Sequence, residues 1–157
     1  MWWNRSHPRE GHMVMDGPIP TPTDPILTLS QWLSPGFPIG AFAYSSGLEQ
    51  AIADGTVTPD TLEPWLSDML CNGIGRSEAI LIRSAATQPD IDAIDRLARA
   101  LCPSRERLLE TQALGTAFCD QLRANWGLDV SDLTYPVALG AGVQALDLPL
   151  QYAVQMY

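Results

Sequence analysis

The sequence predicts an all-α fold, a single-domain bundle of about seven or eight short helices. Three observations carry that expectation. Apolar residues recur three and four positions apart in segment after segment, the spacing that gathers them on one face of a helix. Strict apolar/polar alternation is absent, and "TYPVAL" is the only strand-like run. Breaks rich in Pro and Gly separate the periodic segments at intervals that suit short helices. The length of 157 residues fits one domain, and a composition 46% hydrophobic and 17% charged supplies a core.

Residues 1–25 stand apart from this pattern. "HPREGHMVMDGPIPTPTDP" is rich in Pro, Gly and polar residues and reads as a flexible leader. Both histidines, His7 and His12, lie in it, where a tract without fixed geometry makes a poor metal site. From Ile26 the pattern turns helical, with Ile26, Leu29 and Leu33 on one face and Trp32 beside them. Pro35 ends that segment, because proline disfavours the helical region at Ser34 and has no N–H of its own. A helical face resumes through Ala43, Leu48, Ala51 and Ile52.

The clearest periodicity follows. Leu62, Trp65, Leu66, Met69 and Leu70 fall at i, i+3, i+4, i+7 and i+8, with Thr61 as N-cap and Pro64 in the first turn. "NGIG", Asn72 to Gly75, breaks this helix, and "RSEAILIRSAA" makes the next. "PDIDAIDRLARAL" sets Ile91, Ile94, Leu97, Ala98 and Leu101 on one face, with Asp and Arg opposite. "SRERLLETQALGTAFCDQL" stacks Leu114, Phe118 and Leu122. Gly115 inside it costs about 1 kcal/mol relative to Ala, so a close contact is its expected use. "YPVALGAGVQAL" and "LPLQYAVQMY" complete the bundle, and Gly140 and Gly142 suit tight helix packing.

Charge and composition exclude several function classes. The net charge is −9 and the sequence pI about 4.4, so the basic stripe that nucleic acid or an anionic membrane needs is missing. All nine basic side chains are Arg, which removes Schiff-base chemistry and a P-loop lysine. Cys71, Cys102 and Cys119 are far apart and fit no CxxC or Cys/His spacing; they read as reduced, mostly buried thiols. "MWWNRSHPRE" has no apolar signal-peptide core, and no run approaches the ~18 apolar residues of a membrane span. A cytoplasmic protein is expected.

No autonomous active site emerges. Beyond the leader there is no histidine for a Ser-His-Asp or Cys-His arrangement, and no zinc, P-loop or dinucleotide motif. Glu106 and Glu110, at i and i+4, read as a solvated helix face rather than an acid/base pair. Glu49 reads as a surface or interface carboxylate, with a general base as the other option. Arg76 and Arg83 flank Glu78 and suggest a surface ion network of small energetic value. No metal or other cofactor is expected.

The informative stretch is "LSPGFPIGAFAYSSGLEQ", residues 33–50. Pro35, Gly36, Pro38 and Gly40 make a stiff elbow between two helices. Phe37, Phe42 and Tyr44 are residue types that fill cores and also anchor interfaces. Composition leaves both uses open.

This stretch resembles the N-terminal signature of the urease accessory protein F (UreF) family, roughly Ser-Pro, then Leu/Phe-Pro-hydrophobic-Gly, then Phe/Tyr-Ser-x-Gly-Leu-Glu. Ser34, Pro35, Phe37, Pro38, Gly40, Phe42, Tyr44, Ser45, Gly47, Leu48 and Glu49 match it. "LEPWLSDML" is similar to the family's Trp-containing helix. Ser104, Arg105, Glu106, Gln112 and Gly115 resemble its Ser-Arg-Glu…Gln-x-x-Gly helix, and Tyr135, Pro136, Val137 and Gly140 its Tyr-Pro-Val-x-x-Gly segment. The four motifs stand in the family's order across residues 27–157. The expected organisation is therefore a leader, 1–25, and a UreF-like helical domain, 26–157, without the family's C-terminal Arg-x-x-Pro-Leu-Gly-Gln-Thr-type segment.

The resemblance implies a non-catalytic, usually homodimeric adaptor in the nickel-dependent maturation of urease. It would link a D/H-type accessory protein and a G-type GTPase to the urease apoprotein. Nickel would pass between partners without a tight site here. The partner-binding positions it implies are Pro35, Phe37, Pro38, Gly40, Phe42, Tyr44, Ser45, Gly47 and Glu49. Were it to modulate the GTPase through an arginine, Arg76, Arg83 and Arg105 would be the candidates. The residues read alone also fit a helical binding module for an unrelated partner.

Overall fold

Asp24 starts the first helix. Its carboxylate accepts hydrogen bonds from the backbone N–H groups of Ile26 (2.9 Å) and Leu27 (3.4 Å). Pro25 takes the first helical position, where no N–H is needed. The computed structural model describes residues 24–157, without the side chain of Phe42. All of the expected leader except Asp24 and Pro25 lies outside the described residues, His7 and His12 included.

Among the described residues the chain forms eight α-helices and one 3-10 turn, Ala41–Ala43, and no strand. The helices are α1 (Pro25–Trp32), α2 (Leu48–Ala53), α3 (Leu62–Cys71), α4 (Ile74–Thr87), α5 (Ile91–Ala100), α6 (Arg105–Trp126), α7 (Tyr135–Ala145) and α8 (Leu150–Met156). The strand-like "TYPVAL" is helical: Thr134 is the N-cap of α7 and Pro136 sits in its first turn.

Helix α7 is the centre, with α4 and α6 as its main neighbours. Every residue from Pro136 to Val143 is buried. Two glycines set how closely the backbones approach. A Cβ on Gly140 would stand 2.5 Å from the carbonyl oxygen of Ile82 and 2.7 Å from Cβ of Ala85, both on α4. A Cβ on Gly115 would stand 2.7 Å from the amide nitrogen of Tyr135. Gly115 and Gly140 thus serve close packing, as their sequence context suggested. The neighbour of Gly115 is the chain entering α7 rather than the body of a helix.

The N-terminus of α7 is buried, and other helices satisfy it. The Thr134 N–H and hydroxyl donate to one Asp95 oxygen of α5 at 2.7 and 2.8 Å. The Tyr135 N–H donates to the Thr111 hydroxyl of α6 at 3.3 Å. Arg99 donates from Nε to the other Asp95 oxygen at 2.5 Å, so the buried carboxylate is itself paired. Around α7 an aromatic cluster closes the core: Trp32 meets Phe118 and Trp126 edge-to-face at 5.2 and 5.4 Å.

Three helix assignments differ from the sequence pattern. α3 has no buried residue: Leu62, Trp65 and Met69 are half-buried against the bundle, while Leu66 and Leu70 are exposed. α3 leaves part of its apolar face on an open edge, with α4 as its main helix neighbour. On α5 the buried stripe is Ile94, Asp95 and Ala98, with Leu97 and Leu101 exposed; the helix is rotated to aim Asp95 at α7. The break after α3 is only Asn72–Gly73, and Gly75 belongs to the first turn of α4.

Gly140→Ala tests the packing. Helix propensity alone would favour Ala by about 1 kcal/mol, but the collision with α4 should reverse the sign. A net loss of about 1–3 kcal/mol is expected from overpacking, read from the urea midpoint. An unchanged or raised midpoint would show that α4 and α7 do not approach this closely.

Candidate functional site

The elbow between α1 and α2 is built by short local bonds. The Ser34 hydroxyl accepts from the Gly36 N–H (3.1 Å), the Phe37 N–H donates to the Ser34 carbonyl (3.0 Å), and the Ile39 N–H to the Phe37 carbonyl (2.8 Å). Phe37 and Ile39 then enter the core, each 8% exposed. Phe37 lies 5.7 Å from Phe118 and 6.4 Å from Trp126, ring centre to ring centre. The chain leaves the core through Gly40 and the 3-10 turn, and Tyr44 is extended.

The helix expected to resume at Ala43 starts only at Leu48. Ser46 has φ +50° and Gly47 φ +86°, left-handed conformations that interrupt a right-handed helix and that glycine adopts without strain. Tyr44 and Ser45 therefore precede α2, and Glu49 stands in its first turn. Pro35, Pro38, Gly40, Tyr44, Gly47 and Glu49 are exposed, Ser45 is half-buried, and Phe37 is buried. The Phe42 side chain is outside the described residues. Composition had left core and interface open for this segment; the structure divides it, with two apolar residues inward and most of the rest outward.

A groove of about 930 Å³ opens beside the elbow. Pro35, Phe37, Ile39 and Tyr44 line one side, and residues of α3, α4, α6 and α8 line the others. Its polar floor joins three helices. Arg107 of α6 pairs with Glu78 of α4 and with Glu110 of its own helix, each at 2.5 Å. The Tyr157 hydroxyl donates to the second Glu78 oxygen at 2.7 Å. An aromatic file runs from the elbow to this floor: Phe37 to Phe118, Phe118 to Tyr135 at 5.6 Å, and Tyr135 to Tyr157 at 5.7 Å.

The electrostatics of the floor follow from burial and Glu78. Burial opposes the charge on Arg107, but its bonds to Glu110 and Glu78 outweigh that and hold its pKa above the ordinary value. Burial, then the Glu78 charge, pushes the Tyr135 phenol up to about 12 and Tyr157 well above its ordinary value. Both stay protonated at neutral pH, which keeps Tyr157 a donor. Burial likewise raises the Cys102 and Cys119 thiols, so neither is a ready nucleophile.

Several sequence readings are corrected here. Glu78 pairs with Arg107, 29 residues away, and not with Arg76 or Arg83. Glu110 is held at the groove floor rather than solvated, while Glu106 is exposed. Of the three free thiols only Cys119 is buried; Cys102 is half-buried and Cys71 exposed. Arg76, Arg83 and Arg105 are exposed, and Arg76 lines the elbow groove. Among the described residues no three His, Cys, Asp or Glu side chains gather to hold a metal ion, and no helix is long and apolar enough to cross a membrane. Sequence reasoning missed Arg107, Tyr135 and Tyr157 as a group because nothing local connects them.

Known proteins resemble this chain closely. Residues 56–157 match the family model for UreF. The urease accessory protein UreF of Roseobacter denitrificans is 45% identical over 138 residues, covering 86% of this chain and 62% of that protein. A Cereibacter sphaeroides strain has a urease accessory protein UreF 46% identical over 132 residues, covering 83% and 63%. That of Ruegeria pomeroyi is 41% identical over 142 residues, covering 87% and 65%. The chain thus spans less than two thirds of the length of each of these relatives. A contiguous match over 86% of this chain necessarily contains residues 35–49, the elbow.

Two outcomes test the floor. Arg107→Met leaves two largely buried carboxylates without their cation, Glu78 keeping only the Tyr157 hydroxyl, and should destabilise the chain by about 3–5 kcal/mol, measured by urea unfolding; a loss under about 1 kcal/mol would place the pair in solvent. The raised phenols also predict a pH dependence. Their contribution is complete below the unfolded value near 10 and is lost as pH rises towards about 12. Stability should therefore fall over that window, and less steeply in Tyr135→Phe.

Proposed function

The chain belongs to the UreF family, and we propose that it acts as a urease accessory protein, an adaptor in the nickel-dependent maturation of urease. In this reading it links a D/H-type accessory protein and a G-type GTPase to the urease apoprotein, in the cytoplasm and as a homodimer. It is not itself an enzyme and has no cofactor of its own; nickel passes between its partners. The observation that carries the reading is that the match to relatives of that name runs through the elbow.

The elbow is the partner surface we assign. Pro35, Pro38, Gly40, Tyr44, Ser45, Gly47 and Glu49 present it, and buried Phe37 anchors it to Phe118 and Trp126. Phe42 belongs to the same segment. A loop already fixed by proline and by a buried aromatic loses little entropy on docking, which favours binding without new folding. Of the charges lining the groove beside it, Arg107, Glu78 and Glu110 are occupied with one another, and Arg76 is exposed.

Size-exclusion chromatography with the D/H-type protein tests this. Co-elution is expected, and Tyr44→Ala or Glu49→Ala should weaken it about tenfold or more, as for an interface anchor, with helix content unchanged. If a version extended to the relatives' full length binds neither accessory partner nor urease, the adaptor reading fails. Intact binding by both point variants would move the partner surface away from the elbow.

A further inference from the structure

Residues 41–53 obey two preferences that disagree. Their spacing is helical: Tyr44, Leu48, Ala51 and Ile52 fall at i, i+4, i+7 and i+8. Yet only the two ends are wound, as the 3-10 turn Ala41–Ala43 and as α2, Leu48–Ala53. Between them Ser46 and Gly47 hold φ at +50° and +86°. Gly47 takes that conformation freely, but the Cβ of Ser46 opposes it. A left-handed serine inside a helical pattern is a local conflict of the kind found in switch segments.

Little else holds the break in place. The N–H groups of Ser45, Ser46 and Gly47 donate to no backbone carbonyl among the described residues. In a continuous helix they would donate to Ala41, Phe42 and Ala43, four residues back. Helix α2 has no buried residue, so it can turn without opening the core. Ile39 before the segment and Val57 after it are buried, which confines any change to the residues between them.

We propose that residues 41–53 are a two-state segment, the broken form of this structure and a continuous helix, with Ser46 and Gly47 as the switch. The broken form leaves Tyr44 extended and exposed. Turning Ser46 and Gly47 right-handed winds Tyr44 and Ser45 into the helix. Tyr44 then joins a stripe with Leu48, Ala51 and Ile52. With the elbow as the partner surface, a reading on which this step rests, only the broken form binds. The helical fraction lowers the apparent affinity in proportion.

NMR of the full chain and size-exclusion with the D/H-type protein test this. Gly47→Ala penalises the left-handed form and favours helix. The Ser45 and Ser46 Cα shifts should move to helical values, and their amides should exchange about tenfold more slowly. Partner binding should weaken about tenfold. Ser46→Ala, which favours helix without touching Gly47, replaces this variant should it fail to fold. Ser46→Gly relieves the broken form; its shifts should stay non-helical and its binding should be at least as strong as that of the unchanged chain. A Gly47→Ala chain that is merely less stable, with unchanged shifts at Ser45 and Ser46, would overturn the proposal. So would helical shifts with partner binding intact. The shifts are read on the free chain, so they decide the two-state segment even where no version binds the accessory protein, an outcome that counts against the adaptor reading alone.

Discussion

Helix α7 has almost no surface of its own, and the other helices are arranged to meet that condition. A helix buried on every side needs neighbours that approach its backbone, and Gly140 provides the approach to α4. It also needs partners for N–H groups that water would otherwise satisfy. Asp95 and Thr111 supply them from two different helices. α4, α5 and α6 are thereby set by one element, and the rotation of α5 that exposes Leu97 and Leu101 follows from aiming Asp95 at Thr134.

The same core orders the elbow. Phe37 reaches Phe118 on α6, and the aromatic file continues through Tyr135, the first residue of α7, to Tyr157 over Glu78. A segment whose exposed residues we assign to recognition is thus fixed by its buried ones. Gly47 and Ser46 then delay α2, so that Tyr44 stands clear of any helix. The UreF reading gains from this arrangement a physical content: an outward-facing segment anchored in the core by Phe37 and Ile39.

Apolar residues left outside are as telling as those within. α3 has the clearest helical periodicity in the chain but no buried residue, because periodicity reports a face and not what covers it. Among the described residues Arg99, Arg107 and Arg123 are paired with acids, while Arg76 stands exposed on the lining of the elbow groove.

The sequence by itself determined the helix class, the helix positions to within a few residues, the close packing at Gly115 and Gly140, and the family to which the elbow points. These are local properties: spacing, propensity and breakers act over a few residues. It did not determine which apolar faces meet, nor that Asp95 is buried, that Glu78 joins Arg107 and Tyr157, or that Glu110 leaves solvent. Those depend on the rotation of each helix about its axis and on contacts 29 to 79 residues apart. Only tertiary packing decides them, because a carboxylate opposite an apolar stripe is solvated or buried according to the neighbour that arrives.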